Sequence, residues 1–111
     1  MLISFSTLAL ASQLIVTVAD DVPKFDIERE CKVDSADAFN PTAGLNATIK
    51  RCEDDERDAK NQLQTLWSQF MPPDKKMCIG QTSDDASNPP SYVELLTCLQ
   101  GQQFVRKLPK E

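Results

Sequence analysis

From Leu45 to Phe70 the chain runs without a proline or a glycine, and its apolar residues fall at Leu45, Ile49, Cys52, Ala59, Leu63, Leu66, Trp67 and Phe70. Steps of three and four residues mark one buried face of a helix. Asn46 is a good opening cap, and Met71-Pro72-Pro73 supplies the stop. Such a helix spans roughly 35–40 Å. The chain has 111 residues, enough for one small domain, so its other elements must pack along this spine.

Those elements also read as helices. Asp26 caps a short helix over 26–33, in which Ile27 and Cys31 lie one turn apart. After the double proline, residues 73–79 form a helix of one or two turns that Gly80 closes as a left-handed cap. Ser91 and Glu94 have the spacing of a capping box, and Tyr92, Leu95, Leu96 and Leu99 form the apolar stripe of a helix over 91–100 that Gly101 ends. Asn40-Pro41 with Gly44, and the run QTSDDASNPP, mark connecting loops. The expected fold is all-α, a small disulfide-stapled bundle of three to four helices around one long central helix. Residues 20–104 make its single domain and 105–111 a tail.

The run CEDDERDAK, Cys52 to Lys60, holds five acidic residues. On a helix Lys50 faces Asp54, Glu53 faces Arg57 and Glu56 reaches Lys60, the spacing of a solvated face stabilised by weak ion pairs. Calcium needs oxygens converging from a loop, which an uninterrupted helix does not offer. Glu56 stands apart. Four residues beyond Cys52, it occupies a place in the stripe that suits leucine, so it needs a buried hydrogen bond or salt bridge, such as a lysine or a helix amino terminus, or it floors a small pocket, or the stripe is exposed there. Trp67, Phe70 and Tyr92 are the aromatic anchors, either core residues or an interaction surface.

Four cysteines, Cys31, Cys52, Cys78 and Cys98, are dispersed without a Cys-x-x-Cys pair. An even number in a small exported chain fits disulfides better than a zinc ribbon or a redox motif. Of the three pairings, Cys31–Cys52 with Cys78–Cys98 closes two loops of similar size, each stabilising by about 3 kcal/mol. Export is read from residues 1–19, where a short apolar run ends in Thr17-Val18-Ala19 before Asp20. This is a signal peptide in form, although no basic residue precedes the run; a retained amino-terminal anchor is the alternative. Cleavage after Ala19 implies a periplasmic or secreted product.

DIEREC, NQLQTLWSQF, KKMCIG and above all PSYVELLTCLQ resemble an uncharacterised family of small exported four-cysteine helical proteins of alphaproteobacteria, of the rhizobial type. The resemblance covers roughly residues 22–100 and implies a bacterial envelope setting. It brings no activity, substrate or cofactor with it.

The chain contains no histidine, which removes Ser-His-Asp and Cys-His catalysis. Its formal net charge of −5 argues against nucleic acid. The sequence therefore points to a non-enzymatic exported module, protein-binding or structural in the envelope, with an unknown protein partner and no cofactor or metal. An apolar surface patch rimmed by charge would favour that reading. The alternative is a small-ligand or metal carrier with a cleft near Glu56.

Overall fold

The computed structural model describes residues 21–37, 44–82 and 89–109. The signal peptide expected at 1–19 and most of the two loops expected around 38–44 and 81–90 lie outside these residues. Four α-helices follow in order: α1 (Ile27–Asp37), α2 (Leu45–Leu66), α3 (Pro72–Gln81) and α4 (Tyr92–Lys107). Among the described residues there is no strand. The architecture is an all-α, disulfide-stapled bundle around one long helix.

Helix α1 begins where expected, with Arg29 N–H donating to Asp26 Oδ1 at 3.1 Å, but runs a turn further, to Asp37. The cap of α2 is Gly44 rather than Asn46. Gly44 sits at φ 86°, a left-handed conformation that glycine tolerates and other residues resist. Its carbonyl accepts from both the amide and the hydroxyl of Thr48. Helix α2 extends for about 33 Å. It then tightens into a 3₁₀ turn at Trp67–Gln69, and Phe70 becomes extended ahead of the prolines. The turn brings both rings into the core, edge to face, with centroids 6.4 Å apart.

Two glycines behave differently from expectation. Gly80 lies within α3, which continues to Gln81, and α4 passes through Gly101 to Lys107. A glycine in a helix interior costs only about 1 kcal/mol, which packing readily overrides. The carboxy-terminal turn is held from outside the helix. Arg106 grips Asp74 of α3 with two hydrogen bonds, Nε to Oδ2 at 2.7 Å and Nη2 to Oδ1 at 2.9 Å. Residues 105–107, expected as tail, are therefore helical.

The disulfides are Cys31–Cys52, joining α1 to α2, and Cys78–Cys98, joining α3 to α4. The molecule is thus two stapled helix pairs, and besides the short stretch of chain from α2 into α3 the contacts that hold one pair to the other are noncovalent. Ala59, Leu63 and Trp67 from the α2 side meet Tyr92, Leu95, Leu96 and Leu99 of α4, with Phe70 and Cys78 completing the core. The amino-terminal half of the α2 stripe is peripheral, and Leu45 is exposed. The lead-in strap Val22–Phe25 crosses this junction. Tyr92 is its fastening: the hydroxyl donates to the Pro23 carbonyl at 2.9 Å and accepts from Phe25 N–H at 2.8 Å, while the two rings pack at 4.6 Å.

Candidate functional site

Glu56 is 3% exposed, and its carboxylate meets the amino terminus of α4. Oε1 accepts from Tyr92 N–H at 2.7 Å; Oε2 accepts from the Ser91 hydroxyl at 2.6 Å and from Val93 N–H at 3.4 Å. Ser91 Oγ in turn accepts from Glu94 N–H at 3.2 Å. The first amides of a helix have no partner within it, and its amino terminus carries partial positive charge. A carboxylate delivered by α2 answers both needs, which explains an acid in a place that suits leucine. The ion pair expected between Glu56 and Lys60 does not form. Glu56 turns inward, and Lys60 Nζ instead lies 5.7 Å from the Tyr92 ring centre. The other two pairs are present, Lys50–Asp54 exposed at 3.1 Å and Glu53–Arg57, with Glu53 partly buried, at 3.9 Å.

Beside this junction lies a cleft of about 400 Å³. Helix α1 contributes Glu30, Asp34 and Ser35; α2 contributes Thr48, Arg51, Cys52, Asp55 and Glu56; Ser91, Val93 and Glu94 come from the start of α4. Five carboxylates thus face one guanidinium. Glu30 is buried, with Oε1 3.6 Å from Cys31 Sγ and 3.5 Å from Cys52 Sγ. Those sulfurs are bonded to each other and carry no hydrogen to donate. Desolvation, and then the negative charges of Glu56, Asp34 and Glu94, push the Glu30 pKa up to about 7. Ser35, 1% exposed, has a buried hydroxyl with no hydrogen-bond partner among the described residues.

Chemically, this arrangement accepts hydrogen bonds, attracts positive charge and exchanges a proton near neutral pH. The one hydroxyl in it set against a carboxylate is Ser91, and that pair is spent on the start of α4. Ser35 Oγ has no partner, and Ser91 Oγ is tied between Glu56 and the Glu94 amide. The one close group of three possible metal ligands among the described residues is Glu30 with Cys31 and Cys52, and its sulfurs are consumed by the disulfide. A larger cleft of about 470 Å³ lies between the lead-in strap and α2, beside Lys60, Gln64 and Trp67. Among the described residues Asp21 is the only carboxylate on its walls.

Among the residues singled out from sequence, Glu56 lines the acidic cleft but has both oxygens committed to α4. Trp67, Phe70 and Tyr92 are 5%, 3% and 0% exposed, so they are core and not an interaction surface. Among the described residues the exposed aromatic is Phe104, at 66%. Glu30 and Ser35 were missed. The signal was present: extending the Ile27–Cys31 face at helical spacing reaches Glu30, Asp34 and Ser35.

No family model, curated protein or solved structure matches this chain. The fold and its two cross-links define the class, a small all-α disulfide-stapled domain of the kind that matures in an oxidising environment. No helix among the described residues is long and apolar enough to cross a membrane.

Proposed function

We propose that this chain is a non-catalytic exported module of the bacterial envelope that docks onto another protein through the end of α4. The observation that carries this reading is an apolar patch on a pinned helix. Phe104, Val105 and Leu108 are 66%, 56% and 47% exposed, and Arg106 and Lys107 lie among them. Single exposed apolar residues are ordinary, but three neighbours on one helix end, with Lys107 beside them and Arg106 held by Asp74, make a docking surface for an apolar partner with an acidic group at its edge. The Arg106–Asp74 clamp presents the patch already ordered, which lowers the entropy lost on binding. The envelope setting rests on the disulfides and on the family resemblance.

A photo-crosslinking residue at Val105, introduced in native cells, tests the reading. A discrete adduct is expected, disappearing when Phe104 and Leu108 are both changed to Asp while the thermal transition is kept. An exported protein that forms no adduct, or one whose adduct survives the double change, refutes it. The cleft beside Glu56 supports a second reading, a small-ligand carrier.

A further inference from the structure

We infer that the cleft between α1, α2 and the start of α4 is a binding site for a small organic cation, a guanidinium or primary ammonium held by Glu30 and Ser35. This rests on the carrier reading and is independent of docking at α4.

Three observations converge on that class of ligand. The first is a shortage of donors. The carboxyl of Glu30 has only hydrogen-free disulfide sulfurs beside Oε1, and Ser35 Oγ has no partner among the described residues, although both side chains are buried. Native proteins seldom leave buried polar groups without a partner, so the wall formed by α1 suits a ligand rich in N–H. The second is charge. Glu30, Asp34, Asp55 and Glu94 surround the space, Glu56 being already committed, and Arg51 is the one cation among the lining residues. The third is shape. About 400 Å³ accommodates an organic group, within the usual range of small-molecule pockets.

A bare metal ion fits less well. Among the described residues no three carboxylate oxygens approach closely enough to share one, and the only close trio loses two members to the disulfide. A planar guanidinium carries five N–H donors in a fork and can bridge acceptors that stand apart. Binding follows the charge on Glu30, whose pKa of about 7 is set by desolvation and by Glu56, Asp34 and Glu94. The charged groups facing it are Asp34 on α1, Arg51, Asp55 and Glu56 on α2, and Glu94 on α4. Affinity should therefore rise as the pH passes upward through about 7, where Glu30 becomes anionic.

The test is a titration of the full oxidised, ¹⁵N-labelled chain with agmatine, with a blocked Ala-Arg-Ala peptide, and with calcium, below and above that pH. Saturable amide shifts are expected at Glu30, Ser35, Thr48 and Glu94, strongest on the alkaline side. The tighter of agmatine and the peptide identifies the source as a free amine or a protein side chain. Glu30→Gln should weaken binding at least about tenfold and flatten its pH dependence, and Ser35→Ala should weaken it with the fold kept. Response to calcium alone, silence toward both guanidinium probes, or equal shifts at the outward-facing Asp54 and Asp58 would overturn the assignment. Failure here leaves crosslinking at Val105 unaffected, so the two readings fall separately.

Discussion

Replacing Glu56 should separate the two stapled halves of the molecule. Its carboxylate accepts three hydrogen bonds from the start of α4, all charge-assisted and two of them shorter than 2.8 Å. A hydrogen bond to a charged group is worth about 1.5–3 kcal/mol, but the three share one acceptor and do not add. Stranding the donors in a buried place sets the loss for Glu56→Ala at about 3–5 kcal/mol, a large part of a small domain's stability. Glu56→Gln keeps the shape and one acceptor but turns an N–H toward Ser91 and Val93, for a loss of about 1–3 kcal/mol. Glu56→Leu is the decisive variant. It completes the apolar stripe of α2 yet leaves the amides of α4 unanswered, so it too should lose about 2 kcal/mol or more. Denaturant unfolding followed by circular dichroism, with both disulfides intact, measures all three. A Leu variant as stable as the parent chain would show that the carboxylate is not what joins α2 to α4.

Three further expectations follow from single contacts. The Glu30 pKa rises from 4.5 to about 7 on folding, so the folded state binds more protons between those values and stability falls as pH rises through that window. In Glu30→Gln the fall should vanish, and an unchanged pH profile of unfolding would contradict the assignment. Hydrogen bonds from Arg106 hold the Asp74 carboxyl below its usual range, so its contribution is present above the unfolded pKa and is lost as pH falls through the folded one. Asp74→Asn should speed amide exchange over residues 103–107 and leave α2 unaffected. Cys78→Ser should leave Cys98 as one titratable thiol and lower stability by about 3 kcal/mol; a Cys98 that stays oxidised within the monomer would exclude the Cys78–Cys98 bridge.

Legibility in the sequence followed the range of the interaction. The apolar stripe on α2, the Asp26 cap and the Ser91–Glu94 spacing are set by neighbours three or four residues apart, and each appears in the structure. Helix ends were less legible. Gly80 and Gly101 look like stops because glycine costs a helix about 1 kcal/mol, yet the Cys78–Cys98 bridge and the Arg106–Asp74 clamp tie α3 and α4 together around them. No local pattern reveals a clamp between residues so far apart in the chain. Gly44 shows the converse, a loop residue whose positive φ opens α2 one position before the apolar run.

The candidate site divides in the same way. That Glu56 needs a buried partner follows from its place in a helical stripe, a matter of spacing and the cost of hiding charge. Which partner it has, and the fact that the same junction leaves a cleft with Glu30 and Ser35 on its far wall, depend on how three helices cross. Sequence alone determined the helices, their apolar faces and the oddity of one carboxylate, because those are effects within a few turns of chain. Only the tertiary structure decided that the carboxylate caps α4, that the expected interaction aromatics are core, and that two buried acceptors face an open space. The cap depends on groups 35 residues apart in the chain being brought within hydrogen-bonding distance, as Glu56 and Ser91 are, and the other two outcomes depend on how the helices pack around it.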